Sequence, residues 1–175
     1  MHRLSSLLLV AVMGACGLSE SPKGQAQYFD MDMFLLEKQS MLITSNPTVT
    51  KEVEINGKME KVTSSYDSLQ WSEELKILWD LNIAAPRYRN AFDQIASEPL
   101  TFSRNEEGVS GLQSLVIDKQ FIRGEIMENT SIYSNYQHIE IGLNTKGIAS
   151  ITVRGYQKMV LLDTTFYSSK IDLTY

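Results

Sequence analysis

The sequence has few of the residues that most often carry catalysis, cross-links or metal ions. Its 175 residues contain a single cysteine, Cys16, and two histidines, His2 and His138. One cysteine excludes a disulfide within the chain, an iron–sulfur cluster and a cysteine-based zinc site. His138 is the one histidine beyond the N-terminal segment, which excludes a paired-histidine metal site such as HExxH. We therefore predict neither a metal ion nor a cofactor.

Basic residues and long apolar runs are also scarce. The chain has 16 lysines and arginines against 21 aspartates and glutamates, so its formal net charge is −5. Because phosphate backbones are bound through basic surfaces, this composition argues against a nucleic-acid partner. The apolar run over residues 7–13 is well below the roughly 18 residues that cross a bilayer. The length suits one domain with its own core.

The first residues have the three-part layout of a secretory signal peptide. A short positive start precedes the apolar run, and two small residues come directly before Cys16. The motif Met13-Gly14-Ala15-Cys16 resembles the lipobox of bacterial lipoproteins, with methionine where leucine is usual. The resemblance implies cleavage before Cys16 and lipidation of Cys16, and two or more acyl chains hold a protein firmly on a membrane.

The same resemblance implies an address and a domain organisation. Residues 1–15 are expected to be the signal peptide, residues 16–26 the lipidated cysteine and a flexible tether, and residues 27–175 a single domain. Gly17 stands where aspartate retains some lipoproteins in the inner membrane, so the expected address is the outer membrane of a bacterial cell envelope. Two alternatives stay open: a secreted protein in which Cys16 is incidental, and a cytosolic protein with an apolar start.

A helix is predicted over residues 30–44, because apolar residues recur there at helical spacing and Asn46-Pro47 ends the pattern. Its apolar face is wide, which favours burial against a sheet. Methionine repacks easily around ligands, so the same face is also a candidate ligand-binding surface. The candidate ligand-facing residues are Met31, Met33, Phe34, Leu35 and Leu42.

A β-hairpin is predicted over residues 48–63, because Asn56-Gly57 favours a tight type I′ turn between two alternating segments. That turn places Ile55 opposite Lys58, Val53 opposite Glu60 and Glu52 opposite Lys61. Both faces of the ribbon are mostly polar, so it is expected to project or to lie at a sheet edge. A structural role is the simpler interpretation, and a partner-binding finger is the alternative.

A second helix is predicted to begin at Tyr66-Asp67-Ser68, which offers a helix N-cap. Trp71, Leu75, Leu78 and Trp79 follow at helical spacing, which is typical of core residues, although paired tryptophans also form sugar-binding platforms. The basic and aromatic segment over residues 87–92 is expected to be a loop or short helical turn.

After Pro99 the pattern changes to short alternating runs, which predict an antiparallel meander. If Gly147 adopts a left-handed conformation after Thr145-Lys146, then Leu143 faces Ala149, Ile141 faces Ile151 and Ile139 faces Val153. The other face of this pair carries His138, Glu140, Thr152 and Arg154, as expected for a sheet with one wet side. The predicted strands cover residues 100–103, 112–117, 121–127, 132–136, 139–143, 148–153, 159–165 and 171–175.

Convergent catalytic groups are not recognisable, and we predict no catalytic residue and no enzymatic activity. A lone histidine on a polar strand, His138, is most simply solvated. The segment 108–111 lacks the spacing of a GxSxG elbow, and the adjacent acidic pairs 73–74 and 106–107 diverge on neighbouring positions. The sequon at 129–131 matches an N-glycosylation site, a match that usually means nothing in bacteria.

The fold class predicted from these patterns is α+β, with two N-terminal helices packed on a curved antiparallel meander of about six to eight strands. The layout resembles small envelope lipoproteins of an uncharacterised family. The predicted function is a lipid-anchored, non-enzymatic binding or assembly module that meets an unknown protein or apolar ligand. The alternative is a carrier of lipid or another apolar ligand between sheet and helices, similar to the LolA and LolB proteins. A hydrolase of unknown type is the third interpretation.

Overall fold

The computed structural model describes residues 29–106 and 109–175, and one antiparallel sheet of nine strands dominates this part of the chain. The strands are β1 (Thr48–Ile55), β2 (Lys58–Ser64), β3 (Phe92–Ser97), β4 (Leu100–Arg104), β5 (Gly111–Ile117), β6 (Phe121–Asn129), β7 (Tyr133–Asn144), β8 (Gly147–Met159) and β9 (Thr165–Thr174). The helices are α1 (Met31–Ser45) and α2 (Ser68–Leu75).

The strand order is β2-β1-β9-β8-β7-β6-β5-β4-β3. From β3 to β9 each strand pairs with the next along the chain, so this part is a meander. The N-terminal hairpin β1–β2 joins the sheet through β9, where Thr48 pairs with Thr174 and Ile55 with Tyr167. The first and last strands of the described chain are thus neighbours.

The predicted fold class is therefore wrong. Strands hold 53% of the described residues and helices 22%, and there are nine strands where six to eight were expected. A single helix precedes the sheet, and α2 is a short segment between β2 and β3. The predicted meander leaves out the hairpin, whose β1 strand pairs along its whole length with β9 and which therefore adds two strands to the sheet.

Helix α1 confirms the predicted segment within one residue at each end. The Asp30 carboxylate caps it by accepting a hydrogen bond from the Met33 N–H at 2.9 Å. Asn46 ends it in the left-handed conformation, with φ of 42°, and Pro47 cannot continue a helix. The helix buries Met31, Leu35 and Leu42 against the sheet side of the molecule.

The hairpin also has the predicted register. Ile55 pairs with Lys58, Val53 with Glu60 and Glu52 with Lys61. Strand β2 is one edge of the sheet, in agreement with its polar character, and the ammonium of Lys61 lies 2.7 Å from the Glu52 carboxylate.

Helix α2 begins with a capping box in which Asp67 and Gln70 each bond the other's backbone N–H. It ends at Leu75 and continues as a 3₁₀ turn over Lys76–Leu81. Trp71, Leu75 and Leu78 are buried as predicted, and Trp79 packs half-buried against them. The segment 87–92 overlaps a short 3₁₀ turn over Pro86–Tyr88, in agreement with the prediction, and the rings of Tyr88 and Phe92 are edge to face at 5.5 Å.

Two strand predictions in the meander need correction. Segments 132–136 and 139–143 are one continuous strand, β7, and the segment predicted at 159–165 is mainly the turn between β8 and β9. Ile141 does pair with Ile151 and Ile139 with Val153. A register irregularity after Gly142 places Leu143 opposite Ile148, so the predicted pairing with Ala149 is wrong.

The core lies between the two helices and one face of the sheet. Its largest fully buried side chains include Trp71, Phe102, Met31, Leu35, Leu81, Leu112, Leu115, Ile122 and Ile139. We call this side of the sheet the helix face and the other side the open face. Within residues 29–106 and 109–175, no helix has the length and apolar character needed to cross a membrane.

Candidate functional site

The open face of the sheet is the candidate functional site, because α1 and α2 pack on the other side. Side chains alternate along each strand, and the buried residues Ile139, Ile151, Val153 and Ile171 all belong to the helix face. Their neighbours in sequence therefore project from the open face. Across the central strands these residues are Glu52, Glu54, Ser168, Lys170, Thr152, Arg154, Tyr156, Tyr136, His138, Glu140, Arg123 and Glu125.

Most charged groups of the open face are held in ion pairs between neighbouring positions. Arg123 donates through Nε at 2.9 Å and Nη2 at 2.7 Å to one oxygen of Glu140. His138 Nδ1 lies 3.8 Å from Glu125, and Lys170 lies 2.6 Å from Asp172. Exposed pairs of this kind contribute little to stability, with a median of about 0–1 kcal/mol. Their main effect is to fix the pattern of charge on the face.

Arg154 and Glu54 differ from these residues, because neither makes an ion pair or a side-chain hydrogen bond with any other residue that the structure describes. Arg154 stands on β8, opposite Ser168 of β9 and His138 of β7. Glu54 stands on β1, also opposite Ser168. The two charged groups therefore flank the Ser168 position from strands about 9.5 Å apart, twice the spacing of neighbouring strands.

A groove on the open face runs between these two residues. It consists of one depression of about 350 Å³, lined by residues that include Glu54, Arg154 and Ser168, and a second of about 280 Å³ that shares those three residues. The first extends over Met59, Thr152 and Lys170, and the second towards Asn56 and Phe166. The groove presents an unpaired cation on one side, an unpaired anion on the other and a hydroxyl between them.

A row of aromatic rings borders the groove on the side of the β8–β9 turn. Tyr136 and Tyr156 are stacked, with ring centroids 5.9 Å apart, and Tyr156 lies 6.3 Å from the more exposed Phe166. Burial and then the nearby Glu125 carboxylate raise the pKa of Tyr136, which further disfavours the phenolate. Such rings offer flat apolar contacts and, through their faces, attraction for a cation.

The open face offers charged, hydroxyl and aromatic side chains for contact with a ligand. His138 and Glu125 form one histidine–carboxylate pair, while the neighbouring Glu140 is occupied by Arg123. No group of three or more histidine, cysteine or acidic side chains suited to a metal ion occurs among the described residues. The groove can contact a ligand through charge, hydroxyl and aromatic groups.

The candidate ligand-facing residues of α1 do not share one surface. Met31, Leu35 and Leu42 lie in the core, with at most 1% of each side chain exposed. Phe34 is half-buried, with its ring 5.5 Å from that of Phe29, and Met33 is 64% exposed on the outside of the helix. The structure thus places three of the five in the core, packs Phe34 against that core and leaves Met33 exposed outside it.

Several other predicted features have structural positions or fall outside the described residues. Cys16, the signal peptide and the tether lie outside them, as do Glu107 and Gly108. Ser110 bonds the backbone of Asn129 through its hydroxyl, accepting at 3.0 Å and donating at 3.2 Å, so it connects β5 to β6.

Sequence reasoning found part of the site. The register of β7 and β8 predicts that His138, Glu140, Thr152 and Arg154 share a polar face, and this is confirmed. Glu54 and Ser168 could not be assigned to this face from the sequence, because the pairing of β1 with β9 joins segments more than 100 residues apart. The aromatic row could have been found by extending the β7–β8 register to Tyr136 and Tyr156, which are directly opposite.

The fold and site define a single-sheet protein with a helix-covered face and an open, grooved face. In comparisons with known proteins, no family model, curated protein or solved structure matches the chain.

Proposed function

We propose that the protein is a lipid-anchored lipoprotein of the bacterial cell envelope that acts as a non-enzymatic binding module, with the open face of its sheet as the binding surface. The observation that carries the binding role is the groove between the unpaired Arg154 and Glu54. The anchor and the outer-membrane address rest on the lipobox resemblance around Cys16.

The charge pattern of the groove indicates the chemistry of its ligand. An arginine without a protein partner is available for a carboxylate or phosphate, and its guanidinium forms charge-assisted hydrogen bonds of the stronger kind. A glutamate without a partner is available for an ammonium group. A ligand that carries one anionic and one cationic group a few ångströms apart therefore complements this groove, with Ser168 and Thr152 available for its remaining polar atoms.

The packing of α1 favours this role over the apolar carrier. A carrier would need space between the helix and the sheet, and the residues that would line it, Met31, Leu35 and Leu42, are closed within the core. A cavity of about 160 Å³ on the helix side is lined by polar groups such as Asp80, Arg87 and Asn135, so it does not suit an apolar ligand.

The anchor is tested by intact mass and membrane fractionation of the protein expressed in a Gram-negative bacterium, with wild type beside Cys16→Ser. We expect a triacylated wild type in the membrane fraction and a variant that loses both the lipid and the membrane association. A soluble, unmodified wild type would show that the lipobox interpretation is wrong.

The binding surface is tested with phosphoethanolamine as a zwitterionic probe, followed by nuclear magnetic resonance titration of the purified protein. We expect shifts that centre on β1, β8 and β9, and weaker binding of phosphate alone or ethanolamine alone. Arg154→Gln and Glu54→Gln should each lower the affinity at least tenfold, because each removes one charged contact of roughly 1.5–3 kcal/mol.

Arg89→Gln is the matched control, because Arg89 is exposed on the segment before β3, away from the groove. Its affinity should equal that of the wild type. Equal losses in all three variants, or no response to the probe at millimolar concentration, would contradict the zwitterion-binding groove.

A further inference from the structure

One end of the sheet presents a cluster of exposed aliphatic side chains on two neighbouring turns. The turn before β7 contributes Ile132, which is 63% exposed, and the end of β8 with its turn contributes Met159, Val160, Leu161 and Leu162, which are 42%, 56%, 98% and 63% exposed. The Val160 N–H donates to the Ile132 carbonyl at 2.9 Å, so the two turns are in contact. We call these five residues the apolar tip.

Leu161 combines the highest exposure of the tip with an unfavourable backbone conformation. Its φ is 71°, in the left-handed region where a side chain with Cβ meets the following carbonyl and where glycine or asparagine is the usual residue. No packing compensates this cost, since the side chain is 98% exposed. A residue that is strained and fully exposed at the end of an ordered sheet indicates a role outside the fold itself.

The composition and shape of the tip suit lipid better than a protein partner. Its side chains are all aliphatic, whereas the cores of protein interfaces are enriched in aromatic residues and arginine. The tip is a projecting pair of turns, with Leu161 at its point, and a projection of this kind can enter a deformable acyl layer without a preformed pocket. Lys158 on one side and Asp163 on the other are polar positions at which the headgroup region would begin.

The proposed anchor allows this end of the sheet to reach the bilayer. Thirteen chain steps separate Cys16 from Phe29, and at roughly 3.4 Å each they span at most about 44 Å. The longest strand, β8, has 13 residues and therefore a length of about 43 Å at about 3.3 Å per residue. The domain can thus turn either end of the sheet towards the membrane that holds the lipid.

We propose that the apolar tip inserts into the headgroup–acyl boundary of the membrane to which the protein is anchored. This inference rests on the proposed anchor at Cys16 for the proximity of a membrane. In the inserted state β7 and β8 point with one end into the bilayer. The open face with its groove is then exposed to the surrounding compartment.

The test uses the full-length lipidated protein reconstituted into vesicles of phosphatidylethanolamine and phosphatidylglycerol that contain a lipid with a spin label on an upper acyl carbon. Leu161→Trp places a fluorophore at the point of the tip. We expect the spin-labelled lipid to quench at least half of the emission that this substitution adds. The native Trp71 is buried and Trp79 is half-buried, and the wild type measures their background.

Leu69→Trp is the matched control, because Leu69 is 69% exposed but lies away from the tip. It belongs to α2, which follows the open end of the β1–β2 hairpin, the end away from the Asn56-Gly57 turn. Less than a tenth of its added emission should be quenched. Leu162→Trp is a second tip variant that should behave as Leu161→Trp does. Equal quenching at the tip and at Leu69, or no quenching at either tip position in a protein that floats with the vesicles, would overturn the proposal.

Flotation and intact mass of the same samples separate this proposal from the anchor. If the protein is lipidated and floats but the tip tryptophan is not quenched, the anchor is supported and insertion is contradicted. If the protein carries no lipid but added vesicles still quench the Leu161→Trp emission, the anchor is contradicted and insertion is supported. A protein that is unlipidated, does not float and is not quenched loses both.

Discussion

Gly155 lies where strands β7, β8 and β9 pack so closely that the position has no room for a side chain. It lies in β8, opposite Gln137 of β7 and Tyr167 of β9, and the Tyr167 hydroxyl crosses the strand to donate to Asn135 at 3.0 Å. A Cβ built at Gly155 would lie 2.0 Å from the Tyr136 carbonyl oxygen and 2.9 Å from the Tyr167 hydroxyl. The absence of a side chain here therefore makes room for the Tyr167–Asn135 hydrogen bond.

Gly155→Ala is expected to lower the free energy of unfolding by at least 2 kcal/mol, because a backbone atom must move to admit the methyl group. Urea unfolding followed by circular dichroism measures the change. Gly142→Ala is the comparison, since its nearest neighbour is the Ser150 side chain at 2.5 Å, which can rotate away. A Gly155→Ala protein as stable as the Gly142→Ala protein would show that this close approach does not constrain the sheet.

Leu161 provides the opposite case, in which a substitution should improve the fold. Asparagine tolerates positive φ better than leucine, and no core contact is lost because the side chain is exposed. Leu161→Asn is therefore expected to raise the free energy of unfolding by up to about 1 kcal/mol in urea. Leu162→Asn, whose backbone has no positive φ, should change it by less than about 0.5 kcal/mol. A destabilised Leu161→Asn protein would remove the strain argument for the tip.

At the scale of elements, the contact between the hairpin and α2 is built around one carboxylate. Glu74 of α2 pairs with the Lys51 ammonium of β1 and accepts a hydrogen bond from the Tyr66 hydroxyl at 3.4 Å. The ring of Tyr66 also meets Trp71 edge to face at 5.1 Å. Burial, followed by the Glu74 charge and this hydrogen bond, raises the pKa of Tyr66 to about 12.

This raised pKa predicts an alkaline loss of stability. In the unfolded chain a tyrosine loses its proton near pH 10, while the folded protein keeps it up to about pH 12. The folded state therefore binds more protons between these values, and its stability falls as pH rises through them. We expect the difference in unfolding free energy between wild type and Tyr66→Phe to be constant below pH 9. Between pH 10 and 12 the wild type should lose stability relative to the variant. A difference that does not change with pH would contradict the raised pKa of Tyr66.

Elements whose ends are set by neighbouring residues, such as caps and tight turns, could be predicted from the sequence. Elements that depend on pairing between strands far apart in the sequence could not. The Asn56-Gly57 turn and the N-cap within residues 66–68 are each decided by a few adjacent residues, and both are confirmed. Residues 160–162 have the composition of a strand, but they form a turn, and β9 pairs with β8 only as far as Gln157. Strand β3 was missed because five of its six residues are exposed at the sheet edge.

The site follows the same division. Arg154 and His138 belong to a short-range pairing and could be placed on one polar face from sequence. The groove itself needs Glu54 and Ser168, which come together only when β1 joins β9. A sequence pattern cannot show which strand pairs with the far edge of a hairpin, because many partners satisfy the same alternation of side chains.

At the scale of the whole molecule, β9 is the strand on which the sheet depends. It lies between β1 and β8 and pairs with eight residues of each. It also supplies buried Ile171 to the core and Ser168 to the groove. Without β9, the hairpin β1–β2 loses its connection to the meander, and β8 becomes an exposed edge with an apolar inner face.

A protein that ends at residue 164 is therefore expected to lose cooperative unfolding altogether. A two-stranded hairpin is marginal by itself, and the meander would lose the neighbour that covers Ile151 and Val153. A protein that ends at residue 173 is the control: it loses the hydrogen bond from the Tyr175 hydroxyl to the Ile148 carbonyl but keeps the ladder from Tyr167 to Leu173. It should unfold in one transition, destabilised by about 1–2 kcal/mol. If the shorter protein also unfolds in one sharp transition, the meander is an independent unit, and the groove is assembled between two separately stable parts.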